Sequence, residues 1–258
     1  MYKVEKCVFP STQLINKLSL RNDIVSVDKI EKLGGPSTQV IIAALNEEEG
    51  IGLTIAEMID TLGTPRVLVV DGNSTDRTVE VAKNLGAQIA FQDGLGKGDA
   101  LAKAIENLDS TVDYVVITDA DYTYPAQYVP EMIQLLENNL EVGMVCGNRL
   151  TGNAESNALF DVFYLGNRLI AFTHNFLNGI QLKDPLTGLR VVRTEILRNW
   201  KVKSKGFDIE VELNNHVERQ GFSIMEVPIN YRPRMGQKKL KVRHALTIFW
   251  RIMSETTY

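Results

Sequence analysis

Between Gln39 and Arg149 the chain alternates short apolar runs with longer amphipathic segments, and this alternation most constrains its fold. Five runs are rich in Val, Ile and Leu and predict buried strands: QVIIAAL, RVLVVDG, AQIAFQ, DYVVITD and EVGMVCGNR. The segments between them carry apolar residues at helical spacing, as in IGLTIAEMIDTLG. Strands that alternate with helices of about a dozen residues predict βαβ units. We therefore expect a Rossmann-like α/β protein whose mostly parallel sheet is covered by helices on both faces.

The second half of the chain is less regular. Asn157–Ile180 is rich in Phe and Leu and is predicted to be helical. The segment KVRHALTIFWRIM predicts an amphipathic helix with basic flanks, and its apolar stripe comprises Val242, Ala245, Leu246, Phe249, Ile252 and Met253. We divide the chain into an N-terminal extension (1–38), an α/β domain (39–230), and a basic loop with an amphipathic, membrane-facing helix (231–258).

Charge is unevenly distributed along the chain. The formal net charge is -4, which argues against a nucleic-acid partner, yet Val227–Ser254 contains seven Arg or Lys residues and no Asp or Glu. This segment predicts an anionic partner. The two cysteines, Cys7 and Cys146, show no metal-ligand spacing and suit a reducing cytosol. Without a secretory signal or an apolar run of ~18 residues, we expect a cytoplasmic protein, soluble or peripheral on a membrane.

Ligands of open α/β sheets bind beyond the carboxyl ends of the strands, so the residues after each strand are the functional candidates. Acidic, amide and cationic side chains dominate these positions. They are Asn46-Glu47-Glu48, Asp71-Gly72-Asn73, the DGLGKGD loop that contains Lys97, Asp119-Ala120-Asp121, and Gly147-Asn148-Arg149.

Asp119 and Asp121 form the most specific of these groups. In an extended chain, residues i and i+2 point the same way, so the two carboxylates converge at the strand end. Their repulsion requires a shared proton or a cation, and Mg²⁺ binds one or two carboxylates together with substrate phosphates. Ala120 between them is small, which leaves room for a ligand. The alternative is an Asp-rich turn that solvates the end of the strand.

Two other segments carry candidate anion-binding cations. DGLGKGDA does not match a P-loop, and the first strand is followed by NEEEG, which lacks a glycine run; both observations argue against a P-loop NTPase and a dehydrogenase. Lys97 at a helix N-terminus is suited to an anion, although a flexible turn with a solvated lysine fits equally well. YRPRMGQKKLKVR offers cations for phosphates. Its alternatives are a solvated basic turn and, less favoured, a nucleic-acid patch.

Seven motifs together resemble glycosyltransferase family 2, and most of all its polyprenyl-phosphate (dolichyl-phosphate) hexosyltransferases of archaeal type. They are IIAALNEEEGI, VLVVDGNSTDRT, GLGKGDAL, TDADYTYP, GNR, DPLTGLRVVR and INYRPRMGQKKLK, and the resemblance covers roughly Gln39 to Met253. The resemblance implies a GT-A fold and a nucleotide-sugar donor such as GDP-mannose or UDP-glucose. It also implies a Mg²⁺ or Mn²⁺ ion and transfer of mannose or glucose to a polyprenyl (dolichyl) phosphate at the cytoplasmic face of a membrane.

The resemblance implies roles for individual residues as well. The residues assigned to donor binding are Ala43, Leu45, Glu47, Asp71, Asn73, Lys97, Asp119, Ala120, Asp121, Lys238 and Lys239. The metal ligands would be Asp119 and Asp121, and the residues nearest the chemistry Asp121, Arg149, Arg234 and Asp184. Arg149 would lie near the donor and acceptor phosphates, and Arg234 in a basic loop that closes over them. Asp184 is explained equally well as a turn residue before Pro185.

This sequence departs from the family pattern at several positions. Ala43 replaces a common proline, Thr123 stands where mannosyl-type members often have a glutamine that completes the metal shell, and Lys238 replaces a common serine. Many relatives carry C-terminal membrane spans, whereas this chain ends after one amphipathic helix. The processive motif Q-x-x-R-W is absent, which argues against a polysaccharide synthase.

The expected mechanism is a single inverting displacement. The acceptor phosphate is already an anion, so it needs no strong general base, and the histidines (His174, His216 and His244) are expected to be structural or solvent-facing. Positioning and charge compensation would supply most of the catalysis. The alternatives are a glycosyltransferase with a soluble acceptor and a non-catalytic nucleotide-sugar-binding protein. A sugar-1-phosphate nucleotidyltransferase should carry a Gly- and Arg-rich first loop, which NEEEG is not.

Overall fold

The computed structural model describes residues 35–150, 175, 181–237 and 243–255. Three predicted features fall wholly or largely outside these residues: the N-terminal extension, the helix at Asn157–Ile180 and the pair Lys238 and Lys239. Of the predicted three-part division of the chain, only the central part is described nearly throughout, and the division stays a prediction.

Strands and helices alternate through the first half of the described chain, as the hydrophobic pattern predicts. In chain order the elements are β1 (Thr38–Ala44), α1 (Ile51–Leu62), β2 (Arg66–Asp71), α2 (Thr78–Asn84), β3 (Gln88–Phe91), α3 (Lys97–Glu106), β4 (Tyr114–Asp119), a 3₁₀ turn (Ala126–Tyr128), α4 (Val129–Asn138), β5 (Val142–Asn148), β6 (Arg190–Arg193), α5 (Thr194–Leu197), α6 (Ile209–Arg219), β7 (Ser223–Pro228) and α7 (Arg243–Glu255).

The seven described strands form one sheet in the order β3-β2-β1-β4-β6-β5-β7. Neighbouring strands are parallel except at β6, which runs antiparallel to both β4 and β5. The sheet is therefore mostly parallel, as predicted. The simple alternation did not reveal that β6 separates β4 from β5, because β6 returns from a distant part of the chain.

Both faces of the sheet are buried. Along β1, Val40 and Ile42 face one apolar core, which α1 and α4 cover, while Ile41 faces a second core formed with α3 and α6. Alternate residues of a strand point to opposite faces, so a strand buried on both sides must be apolar throughout. Each fully buried Ile or Val contributes roughly 1.5–3 kcal/mol to folding. The prediction of helices on both faces is confirmed.

The register of the parallel strands brings the candidate loops to one edge. Ala44 in β1 pairs with Asp71 in β2, and Ala43 pairs with Asp119 in β4. The loops that follow β1, β2 and β4 therefore leave the sheet side by side, at the carboxyl ends where ligands of α/β sheets bind.

The last helix, α7, packs with only part of its apolar surface. Ile248 and Ile252 are buried against Val211 of α6, whereas Phe249 and Trp250 are exposed by 44% and 70%. The predicted stripe is thus divided: Ile252 lies in the protein interior, and Phe249 and Met253 lie at the surface. None of the helices in the described part of the chain is long and apolar enough to span a bilayer.

Candidate active site

Asp119 and Asp121 lie at the end of β4, where the chain leaves the sheet. Asp121 and Ala120 are almost completely buried, and Asp119 is partly exposed. Gly50 allows this close packing at the start of α1, because a Cβ there would approach the Ala120 carbonyl oxygen to 2.7 Å. The backbone of Ala120 and Asp121 therefore packs against the start of α1.

Asp119 forms an ion pair with Lys97. Lys97 Nζ lies 2.6 Å from Asp119 Oδ1 and 2.7 Å from Glu210 Oε1. Burial alone would raise the pKa of Asp119, but attraction to Lys97, and to Arg149 and Arg234, holds this pKa below its usual value. Burial would likewise lower the pKa of Lys97, and Asp119 and Glu210 raise it instead. Asp119 and Lys97 are therefore both charged near neutral pH.

Asp121 is held by the basic loop. Its Oδ2 accepts a hydrogen bond from Arg234 Nε at 2.6 Å, and Arg234 Nη2 lies 2.5 Å from the same oxygen. Its Oδ1 accepts the Thr123 hydroxyl at 2.6 Å. Backbone hydrogen bonds from Met235 to the Asp121 carbonyl (3.1 Å) and from Arg232 to the Thr123 carbonyl (2.9 Å) fasten the loop further. Thr123, which stands where a third metal ligand was conceivable, orients Asp121 in this structure.

A second arginine anchors the same loop. Arg232 forms a bidentate ion pair with Glu57 of α1, at 2.6 and 2.7 Å. Its guanidinium lies 4.3 Å from the centre of the Tyr122 ring. Arg232 therefore binds α1 and Tyr122 and positions the loop, whereas Arg234 is the arginine of this loop that binds Asp121.

Arg149 and Asp184 form a further buried pair. Asp184 accepts from Arg149 Nε and Nη2, both at 2.7 Å, and from the Arg149 backbone N–H at 3.0 Å. Glu226 in turn accepts the backbone N–H of Asp184 at 2.8 Å. Arg149 also lies 5.5 Å from the centre of the Tyr231 ring. Asp184 thus does more than form a turn before Pro185, because it fixes the arginine that follows β5.

The first two loops interlock beside this cluster. Both oxygens of buried Asp71 accept hydrogen bonds from Ser74, at 2.8 and 2.5 Å, so Asp71 shapes its own loop. Glu47 donates its backbone N–H to the Thr78 hydroxyl at 2.8 Å, and its buried carboxylate lies 3.7 Å from Arg234. Among the other predicted donor-binding residues, Ala43 is partly buried, and Leu45 and Asn73 are exposed. Their binding roles stay predictions.

The DGLGKGD loop contacts protein groups in this structure, and the predicted donor-binding role of Lys97 stays a prediction. The backbone N–H groups of Gly98 and Asp99, at the start of α3, both point to the Lys205 carbonyl oxygen, at 3.1 and 3.4 Å. Lys97 points to the two carboxylates described above and is only 14% exposed. In this structure the helix N-terminus therefore has a protein partner, and Lys97 is a counter-ion and not a solvated lysine in a flexible turn.

Sequence reasoning did not identify Glu210 or Glu57. Glu210 lies between Ile209 and Val211 in α6, and all three residues are buried. The signal in the sequence was an acidic residue inside an apolar run. Glu57 carried no distinguishing signal. Of the predicted non-catalytic histidines, His216 is described fully: it stacks on Trp200 with ring centres 4.8 Å apart and binds the Ile196 carbonyl.

The two carboxylates of the candidate site fit a divalent ion that takes its remaining ligands from water and substrate. Among the described residues there is no group of three or more His, Cys, Asp or Glu side chains that could hold a metal. Asp119 and Asp121 supply carboxylates, and each already binds a cationic side chain. Mg²⁺ binds through one or two carboxylates when water and substrate phosphates complete its shell. The residues therefore fit an ion that binds together with a diphosphate.

Comparison with known proteins agrees with this geometry. The model of the family described as "Glycosyl transferase family 2" matches residues 39–200. The chain belongs to glycosyltransferase family 2. A dolichyl-phosphate hexose transferase of Haloferax volcanii is 37% identical to this glycosyltransferase over 205 residues, which are 78% of this chain and 85% of the relative. Glycosyltransferase AglJ of the same organism is 33% identical over 195 residues, and the match spans 76% of this chain and 63% of AglJ.

Solved structures support the fold of this glycosyltransferase. Glucosyl-3-phosphoglycerate synthase from Mycobacterium tuberculosis, in complex with Mn²⁺, UDP-glucose and glycerol 3-phosphate, superposes with a TM-score of 0.71 at 20% identity, over 92% of this chain and 86% of that one. The GT-A-type α/β fold is therefore confirmed.

Proposed function

We propose that this glycosyltransferase transfers a hexose, mannose or glucose, from a nucleotide sugar to a polyprenyl (dolichyl) phosphate. The observation that carries the proposal is the cluster of Asp119 and Asp121 with Arg234 and Arg149, in which carboxylates and guanidinium groups meet at one sheet edge. Such a cluster suits a reaction between two phosphate-bearing substrates. The relative that is 37% identical is itself a dolichyl-phosphate hexose transferase.

The acidic residues would serve the donor. Asp121 and Asp119 would hold a Mg²⁺ or Mn²⁺ ion, which supplies positive charge for the leaving diphosphate when bound. The structures of the mycobacterial synthase with Mn²⁺ and UDP are of the same fold and motivate this assignment. Glu47, Leu45 and Ala43 lie on the adjoining strand end, where we place the nucleoside of GDP-mannose or UDP-glucose, with Asp71 shaping the neighbouring loop.

The arginines would align the two anions. Arg149 gives Nε and Nη2 to Asp184, so among the described residues its Nη1 is the nitrogen left for a phosphate. Arg234, Lys238 and Lys239 belong to the basic loop, of which the first part is tied to Asp121. An acceptor phosphate is ionised at neutral pH and can attack the anomeric carbon directly, with inversion. The protein then contributes orientation and charge compensation without a histidine base.

A lipid acceptor places the enzyme at a membrane surface. We propose that it acts as a peripheral protein on the cytoplasmic face, with α7 against the bilayer. Phe249, Trp250 and Met253 are exposed on this helix, and basic residues precede it in the sequence. Aromatic and basic residues on one helix are typical of reversible interfacial binding.

One partition assay tests the proposal. Labelled GDP-mannose, UDP-glucose and other labelled nucleotide sugars are offered with polyprenyl phosphate and Mg²⁺, and the label is followed into the organic phase. We expect lipid-soluble label with one donor, lost in Asp121→Asn and retained in Asp60→Asn, whose side chain is exposed on α1. Label only in a water-soluble product would favour a soluble acceptor. Donor binding without transfer to any acceptor would instead indicate a non-catalytic nucleotide-sugar-binding protein.

A further inference from the structure

Lys97 lies between two carboxylates that come from different parts of the chain. Asp119 ends β4 and belongs to the proposed metal site, whereas Glu210 is in the first turn of α6. The Nζ atom of Lys97 is almost equally distant from both, 2.6 Å from Asp119 Oδ1 and 2.7 Å from Glu210 Oε1. One cation thus compensates two acids, of which only one is a candidate metal ligand.

The glycines of the DGLGKGD loop make this arrangement possible. Gly96 and Gly98 flank Lys97, and a Cβ at either position would collide with the carbonyl of Lys205 or Ser204. The segment before α6 therefore lies directly on the start of α3. Glycine, which lacks a Cβ, permits this approach. The glycine pattern is explained by contact between two protein segments and does not require a phosphate.

The segment before α6 is itself fixed. Glu212 accepts the backbone N–H groups of Lys203 at 2.8 Å and Ser204 at 2.6 Å. The starts of α3 and α6 are consequently joined through one short segment. These contacts hold Lys97 and Glu210 next to each other without any contribution from Asp119.

Glu210 has capacity for a second hydrogen bond. Its Oε2 is buried and has no hydrogen-bond partner among the described residues. A lysine ammonium carries three donors, so Lys97 can satisfy both oxygens of Glu210. If Lys97 leaves Asp119, its charge remains paired inside the protein.

We propose that Glu210 is a positioning residue of the metal site, which takes over Lys97 from Asp119 when a divalent cation binds. The proposal rests on the proposed function, in that Asp119 and Asp121 bind the metal. A divalent ion on the Asp119 carboxylate repels the ammonium group of Lys97 and competes with it for the charge of this carboxylate. Without Glu210, metal binding would leave Lys97 buried and unpaired, which is strongly unfavourable. Glu210 thus allows the Asp119 carboxylate to pair with Lys97 in the metal-free protein and to bind the metal ion once it is present.

Mn²⁺ binding in the absence of nucleotide tests the proposal. The bound fraction is measured from the decrease of the EPR signal of free Mn²⁺. Mn²⁺ is titrated into the millimolar range for the wild type, Asp121→Asn, Glu210→Gln, Lys97→Met and the double variant Lys97→Met/Glu210→Gln. We expect Glu210→Gln to raise the Kd for Mn²⁺ about tenfold, because Lys97 then competes for Asp119 with no second partner. The double variant should return the Kd to the wild-type value or below, because the competing cation is gone.

The rescue separates a positioning role from a purely structural one. A packing defect at Glu210 would be worsened, not cured, by a second substitution beside it. If Glu210→Gln does not fold, the Lys97→Met variant tests the proposal by itself. Weaker Mn²⁺ binding in Lys97→Met than in the wild type would then overturn the proposal. Unchanged binding in Glu210→Gln, with loss in Asp121→Asn, overturns the proposal and leaves the metal role intact. A wild type that binds no Mn²⁺ even after UDP is added overturns both.

Discussion

Gly188, two residues before β6, lies directly against the carboxylate of Asp119. A Cβ built on Gly188 would lie 2.5 Å from Asp119 Oδ2 and 2.9 Å from Tyr124 Cε2. The backbone N–H of Gly188 also donates to the Tyr124 hydroxyl at 2.7 Å. The segment that leads into β6 therefore packs against Asp119, the first acid of the Asp-x-Asp motif, and limits where its carboxylate can lie.

Gly188→Ala should damage catalysis more than stability. The new methyl group must push Asp119 away from its present position, and a misplacement of this kind typically lowers kcat by about tenfold or more. The matched control is Gly35→Ala, because a Cβ at that position meets nothing within 4 Å among the described residues. Turnover and the midpoint of thermal unfolding are measured for both variants. Equal turnover in the two would show that Gly188 does not set the geometry of Asp119.

Asp184→Ala should destabilise the fold strongly. Asp184 is 1% exposed and is the bidentate partner of Arg149, so its removal leaves a mostly buried guanidinium without its carboxylate. Loss of one partner of a buried pair typically costs about 3–5 kcal/mol. Asp93→Ala is the control, because Asp93 also forms an ion pair, with Lys103, but is 81% exposed. We expect that change to cost less than about 1 kcal/mol in urea unfolding. Similar losses for the two variants would contradict this interpretation of Asp184.

The sequence was sufficient to predict the layered fold and the sheet edge at which the candidate residues meet. Continuous apolar strands between amphipathic helices indicate a sheet buried on both faces, and parallel register then brings the end of β4, with Asp119, beside the end of β1. These inferences rest on local patterns, which a single sequence displays directly. The family resemblance added expected roles for the donor-binding and metal-binding residues along the same edge.

The partners of the site residues could not be predicted in the same way. Lys97 meets Glu210 across 113 positions of sequence, and Arg234 meets Asp121 across the same separation. Such pairs depend on where α6 and the basic loop return to the sheet. The hydrophobic periodicity of neighbouring residues carries no information on that position. The antiparallel insertion of β6 escaped prediction for the same reason, since its neighbours β4 and β5 precede it by more than 40 residues.

Glu218 should make stability depend on pH between about 4.5 and 7. Burial raises the pKa of this carboxyl from 4.5 to about 7. Within that range the folded protein binds more protons at Glu218 than the unfolded chain, so the contribution of Glu218 to the free energy of unfolding falls as pH rises. Glu218→Gln removes this titration. The difference in unfolding free energy between wild type and variant should therefore change across this range and level off above it, and parallel profiles would contradict the shift.

Phe249 and Trp250 provide the last prediction, which concerns the membrane surface. Ile248 and Ile252 fasten α7 to the protein, so serine at the two exposed aromatic positions should leave the fold intact. Aromatic side chains at an interface contribute through buried apolar area, and loss of both should weaken binding to anionic vesicles by about tenfold or more. The control is Leu140→Ser, because Leu140 is 77% exposed but precedes β5, at the opposite strand end from the site. Flotation with vesicles that contain phosphatidylglycerol measures the bound fraction. Equal flotation of the wild type and the double variant would exclude α7 as the membrane-binding surface. Transfer of hexose to detergent-solubilised polyprenyl phosphate does not require membrane binding and tests the chemistry independently.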